Sequence, residues 1–298
     1  MREKNVLRER LVAAVAGALL LAGLSPAQVA MGQETCVSTA VLSLDGPDWF
    51  LAIDPNNAGR EQKWCEKPNG EARQIKSPSI IQDAFPGYHG VAWYWREFLP
   101  PANPRAAGRT LLRFWQVDYL ADVWVNGVPV GRHEGGEDPF VLDITDAVKP
   151  GVSNLLAVRV LNPTREPIDG ISLVETPRRN KAYPPTAGSD YNYGGITDAT
   201  ELLLTPSVRI ENLFVRPDPK TGRIRVQVNL RNAGKSAVTG KIGLSVAPAA
   251  GGETLDIAAL DRELPLGDTL IETELAVQKP QLWELNQPTL YRVSAQVG

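Results

Sequence analysis

Apolar residues fall at every second position in Arg223-Ile224-Arg225-Val226-Gln227-Val228-Asn229-Leu230-Arg231, so a strand here buries one face and wets the other, as in an antiparallel sandwich. Asn154-Leu155-Leu156-Ala157-Val158-Arg159-Val160-Leu161 is apolar almost throughout and predicts a more central strand. Between Leu111 and Val130, the dipeptide Asn126-Gly127 offers the two positive-φ residues of a tight hairpin joining Val123-Trp124-Val125 to Val128-Pro129-Val130. Pro129 has no N–H to give a ladder, so the returning arm is predicted to be an edge or bulged strand. After Leu24 no stretch keeps a 3.6-residue apolar period over three turns. The prediction is an all-β chain with minor helices.

A domain boundary is predicted near Pro206. Six of the seven tryptophans lie before it. After it, short alternating strands are separated by Asp-Pro-Lys-Thr-Gly (218–222), Asn-Ala-Gly-Lys (232–235) and Pro-Ala-Ala-Gly-Gly (248–252). Turns at that spacing over about 90 residues predict an immunoglobulin-like sandwich, here without the cysteines of the antibody type. The 26 glycines and 24 prolines fit many short strands better than long helices.

The amino terminus reads as targeting. Arg2, Lys4, Arg8 and Arg10 precede the apolar run Leu11 to Leu24, and small residues follow at Ser25, Ala27, Ala30 and Gly32, which are the three regions of a secretory signal peptide. The run is shorter than the roughly 20 residues that span a bilayer. Either Ser25-Pro26-Ala27 or Ala30-Met31-Gly32 suits cleavage. The expected layout is therefore a leader over 1–32, a first domain over 33–206 and a second over 207–298. The protein is expected to be exported, periplasmic or secreted, with no membrane attachment after cleavage. Export leads to a compartment where disulfides persist, so Cys36 and Cys65 either form the one possible pair or remain two buried thiols.

Charge and chemistry mainly exclude. A net charge of −3 without a basic run argues against a nucleic-acid partner. The two histidines, His89 and His133, stand in no zinc-binding spacing, no GxSxG occurs, and Gly234-Lys235-Ser236 reads as a strand turn and not a phosphate loop. No metal and no cofactor is expected. Trp93, Tyr94 and Trp95 present aromatic faces that suit the C–H face of a sugar ring, with core packing as the competing reading because successive strand residues alternate sides.

Several stretches together carry a family resemblance. Val117 to Gly127 (VDYLADVWVNG), Gly131-Arg132-His133-Glu134-Gly135-Gly136 with Pro139-Phe140, Asp143-Ile144-Thr145, Asn154 to Asn162, Asp169-Gly170, Tyr193-Gly194-Gly195-Ile196 and Val208 to Val215 occur in order. This series resembles the N-terminal sugar-binding domain of glycoside hydrolase family 2, the family of β-galactosidases, β-glucuronidases and β-mannosidases. Leu282-Trp283, Pro288, Leu290 and Tyr291 are similar to the closing strands of the family's immunoglobulin-like domain. The resemblance covers nearly all of residues 45 to 298. It implies a jelly-roll, galactose-binding-like sandwich, then an immunoglobulin-like sandwich, then a (β/α)8 barrel that holds two catalytic glutamates.

The family's acid/base glutamate follows an asparagine, and this chain has no Asn-Glu dipeptide. No catalytic residue is carried over, and the barrel is expected beyond residue 298. The resemblance places the loop before Gly194-Gly195-Ile196 near the sugar, making Asp190 and Asn192 candidate substrate contacts. His133, Glu134, Gly135 and Gly136, like Asn126 and Gly127, are expected to serve structure. The resulting expectation is the non-catalytic portion of an exported β-glycosidase with carbohydrate as its partner; the alternative is a free-standing periplasmic carbohydrate-binding or adaptor protein. Oligomeric state is left open.

Overall fold

The computed structural model describes residues 39–105, 107–176 and 192–298. The leader, Cys36 and Asp190 lie outside them. The first sandwich holds strands β1 (Ala40–Ser43), β2 (Gly46–Ile53), β3 (Arg73–Ser77), β4 (Ser79–Ile80), β5 (Gly90–Phe98), β6 (Arg109–Phe114) and β7 (Val117–Asp118). It continues with β8 (Leu120–Val125), β9 (Val128–Glu134), β10 (Phe140–Asp143), β11 (Asn154–Asn162), β12 (Gly195–Ile196) and β13 (Thr200–Thr205). A one-turn helix, α1 (Ile81–Ala84), and a 3₁₀ turn at Leu173–Glu175 are the helical elements among the described residues. The second sandwich holds β14 (Val208–Pro217), β15 (Arg223–Asn232), β16 (Val238–Pro248), β17 (Asp256–Leu264), β18 (Gly267–Ala276) and β19 (Tyr291–Val297).

In the jelly roll, a four-stranded sheet in the order β1-β13-β6-β10 faces a six-stranded sheet in the order β3-β2-β5-β11-β8-β9, with a short ribbon β4-β12-β7 at one end. Leu51, Tyr94, Leu112, Phe114, Val123, Leu156 and Val158 fill the space between the sheets. The near-continuous apolar run of β11 follows from its position: it pairs with β5 on one side and β8 on the other, and both of its faces are covered.

The second covering was not visible in the pattern. Residues 54–72 cross the outer face of the six-stranded sheet and pack Trp64 and Ala72 against Ala52, Trp93, Trp95, Ala157 and Leu161. Trp93 stacks on Trp124 with ring centroids 5.1 Å apart, and Trp64 lies 6.2 Å from both Trp93 and Trp95. Trp93, Tyr94 and Trp95 are each wholly buried, so the sugar-stacking reading of these three is overturned: both faces of β5 are interior.

The hairpin follows its turn chemistry. Asn126 and Gly127 take φ of 54° and 77°, Val125 pairs with Val128, and β9 is an edge strand with a register shift opposite Val123/Trp124 that accommodates Pro129. The Asn126 amide also fastens the hairpin down: Nδ2 donates to Ala147 O (2.9 Å) and Asn154 Oδ1 (2.8 Å), and Oδ1 accepts from Leu155 N (3.0 Å).

In the second sandwich, β14-β15-β18 packs over β17-β16-β19. The alternation in β15 puts Ile224, Val226, Val228 and Leu230 into a core shared with Ile242, Leu244 and Val246 of β16, separate from the cores of the jelly roll.

Candidate functional site

The polar residues of the jelly roll converge where the loops after β2, before β5 and after β11 meet. Arg159 is wholly buried, a lone cation in an apolar strand, on the outer face beside the tryptophans. Such a charge persists only when paired. Its guanidinium reaches Asp169 Oδ2 (2.7 Å), Asp122 Oδ2 (3.2 Å) and Asn57 Oδ1 (2.6 Å). Arg60, from the covering segment, binds the same two carboxylates at 2.8 and 2.5 Å, so two cations and two anions alternate around one centre.

Burial, helped by the nearby Arg60 charge, holds the Arg159 guanidinium below its ordinary pKa against the pull of Asp169 and Asp122. Arg60 goes the other way: burial pulls it down, but hydrogen bonds and charges from Asp169 and Asp122 outweigh that and raise it. For Asp169, burial pushes upward but is overcome by the Arg60 hydrogen bond and the Arg159 charge, leaving its carboxyl below the usual range.

Beside this cluster opens a cavity of about 410 Å³ whose lining includes Asp54, Asn57, Tyr88, His89, Ile168 and Asp169. Asp54 is buried and accepts hydrogen bonds from the Ala58 and Gly59 amides (both 2.8 Å) and from Trp93 Nε1 (3.1 Å), which ties the cavity to the indole layer. The Tyr88 hydroxyl donates to Val91 O (2.8 Å), and burial together with the Asp54 charge pushes its phenol up to about 12. Both oxygens of Asp54 and of Asp169 are occupied by protein donors.

His89 joins the cavity to a chain of amides. Asn162 Oδ1 accepts from Gln82 Nε2 (3.0 Å) and lies 3.0 Å from His89 Nδ1, which also stands 3.4 Å from Asn192 Nδ2, so the tautomer of the imidazole decides which of these two contacts it makes. Asn162 Nδ2 donates to Asn192 Oδ1 (2.9 Å), and Asn192 Nδ2 to Pro163 O (2.5 Å). Asn192, a candidate sugar contact from the sequence, is therefore placed inside, 6% exposed and with its amide engaged by protein. The physical reason is local. The chain must turn here into Gly194-Gly195, where Gly195 takes φ 140° and a Cβ would lie 2.6 Å from Tyr94 Oη and 2.8 Å from Ser79 O. Asn192 pins that turn.

The remaining sequence candidates lie elsewhere. His133 stacks on Phe140 with centroids 4.3 Å apart, Glu134 accepts from the Tyr119 hydroxyl (3.2 Å), Gly135 takes φ 129°, and Gly136 is buried. Cys65 is half-buried and, among the described residues, a free thiol; burial and Glu66 raise it above its ordinary pKa. Sequence reasoning passed over the Arg159 cluster. Its trace was present: one arginine in a nine-residue apolar strand, and one aspartate in Leu-Ala-Asp-Val-Trp-Val.

Comparison with known proteins agrees with this architecture. Residues 80–206 match the family described as glycosyl hydrolases family 2, sugar binding domain, and residues 208–298 match glycosyl hydrolases family 2. A β-glucuronidase from Paenibacillus borealis is 30% identical over 218 residues, which is 65% of this chain and 36% of that protein. The human β-glucuronidase is 30% identical over 213 residues, 64% of this chain and 33% of its own length. A solved β-glucuronidase from an uncultured Clostridium sp. superposes with a TM-score of 0.63 at 25% identity, covering 87% of this chain and 43% of that one. A β-glucuronidase described as from glycoside hydrolase family 2 gives a TM-score of 0.68 at 18% identity, over 87% of this chain and 29% of that one. The chain spans about a third of the length of the curated relatives it matches.

Proposed function

This chain belongs to glycosyl hydrolase family 2, and we propose that it is the accessory, non-catalytic part of an exported hydrolase acting on β-glucuronides. The observation that carries the reading is the pair of consecutive family matches on the two sandwiches, 80–206 and 208–298. The relatives at about 30% identity, named as β-glucuronidases, support glucuronides over the galactosides and mannosides that the family also embraces.

In this reading the sandwiches supply positioning and not bond cleavage. The chain Gln82–Asn162–Asn192, with His89, holds the turn into Gly194. Asp190, just before that turn in sequence, is the side chain proposed to meet a sugar hydroxyl. The leader over 1–32 supports action outside the cytoplasm, in the periplasm or beyond.

Nitrophenyl β-glucuronide, offered to the purified chain, should release no nitrophenol beyond the uncatalysed rate; turnover that scales with protein concentration would overturn the non-catalytic reading. Calorimetric titration with glucuronic acid and glucuronide oligosaccharides should give weak heats or none. Tight one-to-one binding would instead favour the second reading, a free-standing carbohydrate-binding module, for which the cavity at His89 is the supporting feature.

A further inference from the structure

The β14-β15-β18 sheet turns one face to the core of the second sandwich and the other to solvent, and the register sets the rows on the wet face. One row is Asn212-Asn229-Leu270, the next Phe214-Gln227-Glu272, and the third Arg216-Arg225-Glu274. Two features of these rows do not serve the sandwich. Phe214 is 56% exposed, while the core side of its strand is taken by Leu213 and Val215. Arg216 stands directly opposite Arg225, and like charges in that position destabilise a sheet.

The same face shows how an arginine is held for stability alone. Asp268 accepts from both Nε and Nη2 of Arg231, at 2.7 and 2.8 Å. The third row is held far more loosely. Glu274 is shared between Arg225 at 3.6 Å and Arg223 at 4.0 Å, both beyond hydrogen-bond length, and those side chains are 74% and 71% exposed. Arg216, exposed as well, joins no carboxylate among the described residues. The three arginines border a hollow of about 600 Å³ whose lining also includes Asp218 and Thr221. Asp218 is committed to its own turn, accepting from Thr221 Oγ1 (2.7 Å) and the Lys220 amide (2.9 Å). In a chain of net charge −3 the hollow keeps a local excess of positive charge with guanidinium donors to offer.

We propose that this face binds an oligosaccharide whose sugars carry carboxylates, a uronic acid chain. A pyranose lays its C–H face on Phe214, and the amides of Gln227 and Asn229 meet its hydroxyls. Phe214 and Arg216 are two residues apart on one side of a strand, about 7 Å, so a carboxylate at the edge of that ring or on the next sugar falls between the Arg216 and Arg225 guanidiniums. It replaces the repulsion between them with charge-assisted bonds to both, in the planar geometry that suits arginine and carboxylate. The site is separate from bond cleavage; only the choice of glucuronic acid among the uronates rests on the β-glucuronide reading above.

The test follows amide NMR shifts of the purified chain at low salt during titration with a β-1,4-linked glucuronic acid hexamer, with cellohexaose, which differs from it only at C6, and with hexaglutamate, which matches its charge. The glucuronic acid hexamer should bind weakly, but at least ten-fold more tightly than either of the others, and should weaken as salt is added. Arg216→Ala, Arg225→Ala and Phe214→Ala should each lower the affinity about five-fold or more, while Arg231→Ala, whose guanidinium is already engaged by Asp268, should leave it within about two-fold. Arg216→Ala should melt at or above the wild-type temperature, because it relieves a like-charge pair, so its lost binding reports on the site and not on the fold. Preference for a β-1,4-mannuronic acid hexamer over the glucuronic one would support the site and count against the glucuronide reading. No binding of either uronic acid hexamer at 5 millimolar, equal binding of cellohexaose or hexaglutamate, or an affinity that ignores Arg216, Arg225 and Phe214 overturns the proposal.

Discussion

Replacing Arg159 by methionine tests the ion cluster most directly. The side chain is fully buried, and its removal deletes bonds of 2.7 and 3.2 Å to Asp169 and Asp122 and one of 2.6 Å to Asn57. Methionine restores most of the apolar stem, so the loss is chiefly electrostatic. Breaking a buried pair from one side typically costs about 3–5 kcal/mol, because the partner charge is left uncompensated. Here Arg60 stays bound to both carboxylates, and Asp169 keeps a side-chain exposure of 24%, so the cost belongs at the low end, about 3 kcal/mol. For a domain of this size that is a fall of about 6–12 °C in Tm.

Urea denaturation followed by tryptophan fluorescence reads the change, since the buried indoles lie against the cluster. Asp169→Asn added to Arg159→Met should cost clearly less than the sum of the single changes, with a coupling of about 1 kcal/mol or more. A stability loss under about 0.5 kcal/mol for Arg159→Met, or strict additivity in the double variant, would refute the view that these charges depend on one another.

Gly195→Ala should destabilise by about 3 kcal/mol or more, because the new methyl meets Ser79 backbone at 2.8 Å and φ is 140°; a thermal melt within 2 °C of wild type would contradict this. The Asp169 carboxyl is held below its unfolded value, so its stabilisation is complete above about pH 4 and is lost as pH falls through the lower folded value. Asp169→Asn should therefore flatten the acid limb of stability below pH 4, and an unchanged slope there would count against the pairing.

The alternation of β15, the apolar run of β11 and the Asn126-Gly127 hairpin were legible because each is fixed within its own few residues. The family resemblance supplied the jelly roll, which periodicity alone does not distinguish from other sandwiches. Core packing was a competing reading for Trp93 and Trp95, but the covering of both faces of their strand was not legible. It depends on residues 54–72, a stretch without regular periodicity whose role is set by where the chain folds back. The burial of Asn192 was hidden for the same reason: a polar residue in a loop reads as exposed until Asn162 and Pro163, some thirty residues earlier, are seen to occupy its amide. Arg159 and Asp122 were visible as anomalies in apolar strands, but the pairing between them rests on strand neighbours that only the sheet order reveals.

The indole layer also makes the protein an instrument for reading its own state. Trp64, Trp93, Trp95 and Trp124 form a chain of rings with centroid separations between 5.1 and 6.3 Å, held at fixed mutual angles. Transition dipoles at such spacing couple as excitons and give paired circular-dichroism bands of opposite sign in place of four independent weak ones. Trp64 sits on the covering segment and the other three on the sheet. The amplitude of that couplet is therefore an optical gauge of whether the segment is seated, legible without any label.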